Sequence, residues 1–262
     1  MGTVQDQAGQ ILLCIEGNDM NGQDILYDRK NKFAECFWAG VNNCVLACKF
    51  DKISVHGIEN IPRSGPFILV SNHVSRWDGL LIKQLVGRPA NYMVSPAELR
   101  GFQGVVLRSI GAFPASPRFD LSGFVIQKAV QGEATIIFPE GNIYRNGTPY
   151  RFKNGAARLA LDCCAAGLKC PLIPSAIAYE DTATSVVHLT VGAPLDVEAF
   201  VYKSGEQRNM MIRLLTGQLE LEVRFLLGSL AVKGKMNQLP LTPEVMSAID
   251  DQCCCQESLQ AS

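Results

Sequence analysis

The chain has 262 residues, of which 47% are hydrophobic and 19% charged, and its formal net charge is −1. This length accommodates one large domain with a full core, and the composition excludes a largely disordered protein. No apolar run approaches the roughly 20 residues that a helix needs to cross a bilayer, so the sequence predicts no membrane span. The 10 cysteines include no Cys-x-x-Cys pair, which favours reduced thiols over a disulfide scaffold.

Basic residues are concentrated in the middle of the chain. Between Arg100 and Arg158 there are eight basic and three acidic residues, a balance of +5. This distribution favours an anionic substrate or membrane headgroups as the partner, although chance clustering on a solvated surface would look similar. The aromatic and basic interleaving of nucleic-acid modules is missing, so no nucleic-acid partner is expected.

Polarity divides the chain into three parts. Residues 1–30 are acidic and polar and predict a loosely ordered arm, residues 31–240 predict a single domain, and residues 241–262 form a polar tail that contains cysteines. The role of the tail cysteines is left open by the sequence; they are Cys253, Cys254 and Cys255.

The first predicted element is an N-terminal amphipathic helix over residues 31–49. Its apolar residues recur at spacings of three and four, and they are Phe33, Phe37, Val41, Cys44 and Cys48, with Trp38 and Leu46 widening the stripe. Two interpretations remain open at this point. The helix could rest on a bilayer surface or pack on the protein's own core.

Strand and helix patterns then alternate along the chain. The first half predicts strands at 53–57 and 67–70, a helix at 79–86, a strand at 92–94, and an apolar helix or strand from 105 that ends in the run 111–114. The second half predicts a helix at 121–130, a strand at 134–138, a helix at 155–166, strands at 172–178 and 186–191, and a helix at 210–227. This alternation predicts an α/β fold with a mixed, largely parallel central sheet flanked by helices.

The run NHVSRWD, residues 72–78, follows directly on a predicted buried strand. Five residues of a helix rotate by about 140°, so His73 and Asp78 can meet only if the histidine precedes the helix and the aspartate lies in its first turn. An imidazole whose tautomer is fixed by a carboxylate can remove a proton from a hydroxyl at neutral pH. A helix-capping box with Ser75 as the N-cap is a compatible interpretation.

A second carboxylate follows another predicted buried strand. Phe138 to Gly141, Phe-Pro-Glu-Gly, is typical of a sharp turn that projects Glu140 from a strand end. Because open α/β sheets place their sites at the carboxyl ends of the strands, we expect Glu140 to lie near His73. A simple surface turn is the alternative.

Several segments together resemble a known family. They are Asn72-His73 with Asp78, Gly111 to Pro114 with Arg118, Phe138 to Gly141, Phe152 to Ala156, and Pro171 to Pro174. In this order they are similar to the four acyltransferase blocks of the glycerophospholipid acyltransferase family typified by 1-acyl-glycerol-3-phosphate acyltransferase, with the fourth segment belonging to the third block. The resemblance covers about residues 50 to 195.

The resemblance implies a glycerol-3-phosphate acyltransferase-like fold and a catalytic pair. His73 would be the general base and Asp78 would orient it. The base would activate a lysophospholipid hydroxyl, most of all that of 1-acyl-glycerol-3-phosphate, to attack the thioester of acyl-CoA or acyl carrier protein. Main-chain N–H groups near the helix start would stabilise the oxyanion.

The same resemblance implies how the substrates are bound. Glu140 would hold the acceptor hydroxyl or organise the site, and Arg118 would bind the acceptor phosphate. The whole expected substrate-binding set is Arg118, Glu140, Gly141, Asn142, Arg145 and Lys153. No metal and no cofactor beyond the acyl thioester co-substrate is expected, and the protein is predicted to be peripheral on the cytoplasmic face of a membrane and to act in phospholipid synthesis.

Two departures from the family pattern concern phosphate binding. The third block usually continues Pro-Glu-Gly-Thr-Arg, whereas here Asn142 follows the glycine and the next arginine is Arg145. The second block usually has its arginine three residues after Pro114, where this chain has Pro117 and then Arg118. Another lysophospholipid is therefore a credible acceptor.

A hydrolase and a non-catalytic lipid-binding protein are the two alternative function classes. A thioesterase or lipase would deliver the acyl group to water, but the chain has no Gly-x-Ser-x-Gly nucleophile elbow. A non-catalytic lipid-binding protein on the same fold would not need His73, Asp78 and Glu140.

Overall fold

A computed structural model describes residues 30, 32–144, 150–180, 185–200 and 205–238. The predictions for the N-terminal arm up to residue 29, for the tail at 241–262 and for Arg145 lie outside the described residues.

Helices and strands alternate along the described chain. In order they are α1 (Lys32–Lys49), β1 (Lys52–His56), β2 (Phe67–Ser71), α2 (Asp78–Val86), β3 (Ala90–Val94), α3 (Gly101–Ser109), β4 (Ala112–Pro114), α4 (Leu121–Val130), β5 (Ala134–Ile137), α5 (Gly155–Ala165), β6 (Leu172–Tyr179), β7 (Val186–Val191) and α6 (Gly205–Gln238). Two short 3₁₀ segments lie at Ile58–Asn60 and Glu198–Phe200.

The strands form one seven-stranded sheet in the order β1-β7-β6-β2-β5-β3-β4. The five strands from β6 to β4 run parallel to one another, whereas β7 is antiparallel to β6 and parallel to β1. The prediction of a mixed, largely parallel sheet is confirmed. The carboxyl ends of β6, β2 and β5 consequently lie next to one another at one edge of the sheet.

Helices cover both faces of the sheet, as β2 shows. All five residues of this strand are buried. Ile68 and Val70 belong to the apolar cluster that also contains residues of α4, α5 and α6, whereas Phe67 and Leu69 belong to the cluster with residues of α1 and α2. Because successive side chains of a strand point to opposite faces, this buried run fits a strand covered on both sides.

Several element boundaries differ from those predicted. The apolar segment from 105 belongs to α3, which already begins at Gly101, and a separate edge strand, β4, follows and pairs with β3. The last helix extends well beyond the predicted 210–227, from Gly205 to Gln238. Apolar periodicity marks where a helix contacts the core. It therefore underestimates the length of a helix whose ends extend past the core.

Helix α1 leaves most of its apolar stripe exposed. Phe33 is 81% exposed and Phe37 56% exposed, and Cys44 and Cys48 are also exposed. The helix contacts the protein through Leu46, which is buried, and through Asn42, whose side-chain amide donates to the carbonyl of Leu80 at 3.1 Å. The core-packing interpretation therefore fits Leu46 and does not fit Phe33, Phe37, Cys44 and Cys48.

No helix in the described ranges is both long and apolar enough to cross a membrane.

Asn72 joins the ends of β2 and β6. Its Oδ1 accepts from the main-chain N–H of Ile177 at 2.8 Å, and its Nδ2 donates to the carbonyl of the same residue at 2.9 Å. The side chain is buried, so this bridge holds the start of the NHVSRWD run against β6.

We expect Asn72→Ala to lower the free energy of unfolding by about 2–4 kcal/mol, because it leaves two buried main-chain groups without partners at about 1–3 kcal/mol each. Urea unfolding measures the change. Asn43→Ala, on the exposed face of α1, is the control and should stay within about 0.5 kcal/mol of the native protein. Equal free energies of unfolding for the two variants would contradict a stabilising role of the Asn72 hydrogen bonds.

Candidate active site

His73 and Asp78 meet as the spacing predicts. Strand β2 ends at Ser71 and α2 begins at Asp78, so the histidine lies in the loop and the aspartate is the first helical residue. Nδ1 of His73 is 2.8 Å from Oδ2 of Asp78. The loop thus turns the imidazole back onto the helix start.

Asp78 is a buried acceptor for groups from several segments. Its side chain is fully inaccessible to solvent, and its Oδ2 also accepts from the main-chain N–H groups of Val74 at 2.7 Å and Ser75 at 2.8 Å. Its Oδ1 accepts from the hydroxyl of Tyr179 at 2.5 Å. A buried carboxylate remains ionised only when hydrogen-bond donors replace water, and here four donors do so.

The helix start differs from the predicted capping box. Trp77, and not Ser75, is the N-cap residue, and its side chain makes no capping hydrogen bond. The hydroxyl of Ser75 accepts from the N–H of Trp77 at 3.4 Å. Asp78 still reaches back to the N–H of Ser75, so one half of the box is present.

The network determines which nitrogen of His73 is free. Asp78 accepts from two N–H groups on the oxygen that contacts His73, so the carboxylate is the acceptor and Nδ1 carries the proton. Nε2 then holds the lone pair, and within the described part of the chain it has no hydrogen-bond partner. The ring stacks on Phe138 at 4.3 Å between centroids and is 21% exposed. A substrate hydroxyl could therefore reach Nε2.

The main-chain N–H groups of the catalytic loop are already engaged. His73 N–H donates to Oε1 of Glu140 at 3.0 Å, and those of Val74 and Ser75 donate to Asp78. The expectation that N–H groups near the helix start form the oxyanion hole is wrong for these three. Their hydrogen bonds position His73 and Asp78 instead.

Glu140 connects the catalytic loop to the segment after β5. Its Oε1 accepts from the N–H of His73, and its Oε2 accepts from the N–H of Tyr150 at 3.0 Å. Burial raises the pKa of this carboxyl above its ordinary value, and the two N–H groups oppose that shift only in part. Of the two predicted roles, this geometry favours organising the site over holding the acceptor hydroxyl.

The turn after Glu140 requires glycine. Gly141 has φ +70°, and a Cβ there would lie 2.3 Å from Nζ of Lys153. Lys153 also donates its main-chain N–H to the carbonyl of Pro139 at 2.9 Å. The lysine side chain therefore lies across the turn that carries Glu140.

Tyr144 and Tyr150 lie beside the candidate active site. Tyr144 donates its N–H to the carbonyl of His73 at 2.8 Å, and its ring stacks on that of Tyr150 at 4.6 Å. The stacked pair is thereby connected to His73 through Tyr144 and to Glu140 through Tyr150.

The other predicted binding residues have separate positions. Asn142 is exposed, and its side-chain oxygen accepts from the N–H of Ile143 at 2.9 Å. Arg118 is exposed and follows β4, which lies three strands from β2, or ~14 Å along the sheet. The structure thus brings together His73, Asp78, Glu140, Gly141 and Lys153, and it places Arg118 apart from them.

Sequence reasoning missed two side chains at this edge. Tyr179 is in phase with Ile177 on β6, and that alternation could have assigned it to the same face. Phe138 was recognised only as part of a turn motif, although its ring is stacked on His73. Within the described residues, no group of three His, Cys, Asp or Glu side chains could hold a metal ion.

Comparison with known proteins supports the resemblance. A family model described as Acyltransferase matches residues 52–178, which run from β1 to all but the last residue of β6 and include both His73 and Asp78. This part of the chain is similar to acyltransferases.

One curated relative is the 1-acyl-sn-glycerol-3-phosphate acyltransferase of Borreliella burgdorferi, 32% identical over 116 residues. That match covers 42% of this chain and 46% of the relative, so it spans about half of the relative's length.

The crystal structure of the 1-acyl-sn-glycerophosphate (LPA) acyltransferase, PlsC, from Thermotoga maritima has a similar fold. Its TM-score is 0.54 at 21% sequence identity, and the match covers 81% of this chain and 86% of that chain. The expected acyltransferase-like fold is confirmed.

We expect Glu140→Gln to be less stable than the native protein by about 1–3 kcal/mol at pH 4.5, because the amide cannot accept from both N–H groups. A raised native pKa means that the folded protein binds the proton more tightly than the unfolded chain does. The stability that Glu140 contributes then decreases as pH rises through that native pKa, so the deficit of the variant should shrink between pH 4.5 and 7. Urea unfolding at several pH values measures this, and a deficit that grows with pH would contradict the raised pKa.

Proposed function

We propose that the protein is an O-acyltransferase that moves a fatty acyl group from an acyl thioester, acyl-CoA or acyl carrier protein, to the hydroxyl of a lysophospholipid. The observation that carries this proposal is the His73 imidazole, with Nδ1 held by buried Asp78 and Nε2 open at the carboxyl edge of the sheet. The match of residues 52–178 to the Acyltransferase family model supports the reaction class.

The reaction proceeds by direct transfer. Nε2 of His73 takes the proton of the acceptor hydroxyl, and that oxygen attacks the thioester carbonyl carbon. The C–S bond then breaks, and the leaving thiolate takes the proton back from the imidazolium. Asp78 remains ionised throughout and stabilises the positive ring. Such a base contributes about 10²–10⁴-fold, and positioning of the two substrates adds to it.

Cations at the same edge support an anionic acceptor. Lys153 lies across the Glu140 turn, and Arg76, inside the NHVSRWD run, is exposed. Arg118 lies further along the sheet and could contact a phosphate of either substrate. We propose 1-acyl-glycerol-3-phosphate as the first acceptor, which is the substrate named for the curated relative, and a role in phospholipid synthesis.

We expect His73→Ala to reduce acyl transfer by about 10²–10⁴-fold, because it removes the base. The assay gives a mixed pool of lysophospholipids and either acyl-CoA or acyl carrier protein to the purified protein and identifies products by mass spectrometry. His56→Ala is the matched control, since His56 is exposed on β1, and it should be unaffected. Undiminished turnover by His73→Ala would overturn the mechanism, and acyl release that needs no acceptor would indicate a hydrolase.

We also propose that the protein attaches peripherally to the cytoplasmic face of a membrane through α1. The exposed face of this helix between residues 33 and 48 carries no charge; its members are Phe33, Cys36, Phe37, Gly40, Asn43, Cys44, Ala47 and Cys48. Exposed aromatic residues on an uncharged helix face suit the headgroup boundary of a bilayer. The free thiols of the six described cysteines suit a reducing compartment.

We expect the double variant Phe33→Ser, Phe37→Ser to bind phospholipid vesicles at least about tenfold more weakly, because each buried Phe contributes about 1.5–3 kcal/mol. Sedimentation with vesicles measures the binding. Phe225→Ser on α6 removes a ring of similar exposure, 73%, and serves as the control. Equal binding by the double variant and the native protein would exclude α1 as the attachment site.

A further inference from the structure

We propose that Tyr179 is a positioning residue for the catalytic pair, and that its hydroxyl sets how tightly His73 holds a proton. Tyr179 contacts Asp78 and not the reacting atoms. The catalytic meaning of this role rests on the proposed acyl transfer, whereas the effect on His73 can be measured without substrate.

The two oxygens of Asp78 are supported unequally. Oδ2 accepts from His73, Val74 and Ser75. Oδ1 accepts from Tyr179, and no other donor to it lies within the described ranges. Within the described residues, the Tyr179 hydroxyl is therefore the one donor that stabilises Oδ1 of this fully buried carboxylate.

Tyr179 is held at the end of β6, where its hydroxyl hydrogen-bonds the side chains of Asp78 and Ser75. It is the last residue of β6, and Ile177, two residues earlier, is bound on both main-chain groups by Asn72. Burial, together with the neighbouring Asp78, raises the pKa of the phenol well above its ordinary value. The hydroxyl therefore keeps its proton and donates a hydrogen bond to Oδ1.

The ring of Tyr179 also separates Asp78 from an open cleft. This cleft has a volume of about 360 Å³, and Val74, Ser75, Trp77 and Tyr179 line it, but Asp78 does not. Phe50, which also lines the cleft, packs beside the ring at 6.1 Å between centroids. Removing only the hydroxyl therefore leaves the ring and the burial of Asp78 in place.

The charge on Asp78 determines in which direction the loss of the Tyr179 hydroxyl changes the protonation of His73. Without the phenol, the carboxylate keeps more negative charge for its remaining partners and attracts the imidazolium proton more strongly. His73 should then stay protonated to higher pH. Within the described residues, the other titratable side chains near His73 belong to Glu140, which accepts from the N–H of His73, to Tyr144, whose N–H donates to the carbonyl of His73, and to Arg76 of the same run. The substitution at Tyr179 alters none of these side chains.

The test is Tyr179→Phe, followed by NMR titration of the histidine ring protons. The chain has three histidines, His56, His73 and His188, and His73→Ala assigns the relevant signal. We expect the titration midpoint of His73 to rise by about half to one pH unit, and the acid limb of the kcat/KM profile to move by the same amount. Tyr92→Phe is the matched control, because the buried hydroxyl of Tyr92 has no hydrogen-bond partner in the described chain. This control should move neither the titration midpoint of His73 nor the acid limb of the kcat/KM profile.

Each outcome either supports or overturns the positioning role of Tyr179. A lower thermal midpoint with an unmoved His73 titration would show a structural role alone and overturn the proposal, as would a shift to lower pH. A raised His73 midpoint in a protein that transfers no acyl group would sustain the positioning role and reject the proposed function. If Tyr179→Phe does not fold, 3-fluorotyrosine at position 179, a stronger donor, should move the midpoint to lower pH, and no movement would overturn the proposal.

Discussion

The candidate active site depends on one buried carboxylate, that of Asp78. Its burial would cost free energy without the groups that donate hydrogen bonds to it. Asp78 is fully inaccessible and accepts from His73, from two main-chain groups of the loop and from Tyr179 at the end of β6. Removing water from an ion costs several kcal/mol unless hydrogen bonds compensate. The conformation of the loop and the relative position of β2 and β6 are therefore coupled to the orientation of His73.

The order of the sheet makes this convergence possible. Because β6, β2 and β5 are neighbours and run in the same direction, their carboxyl ends present Tyr179, His73 and Glu140 side by side. Helices cover both faces of the sheet, so this edge remains open to substrates. Glu140 then fixes the loop from the β5 side through the N–H of His73, and Tyr179 fixes Asp78 from the β6 side.

Local patterns in the sequence predict the contact between His73 and Asp78 well and the residues that support it poorly. The spacing of His73 and Asp78 behind a buried strand is enough to place one in the loop and the other in the helix. The contact between Asp78 and Tyr179 spans 101 positions and depends on the strand order, which local periodicity does not encode. Likewise, the apolar stripe of α1 identifies a helix face but not what covers it, so the exposure of Phe33 could only come from the structure.

The proposed mechanism requires His73 to present a free Nε2 to the acceptor hydroxyl while Asp78 holds the other side of the ring. A crystal structure with bound 1-acyl-glycerol-3-phosphate shows whether this is so. We expect the free hydroxyl of the acceptor within about 2.6–3.2 Å of Nε2, with Nδ1 still on Asp78. An acceptor hydroxyl held by another group, with Nε2 turned onto a protein donor, would contradict it.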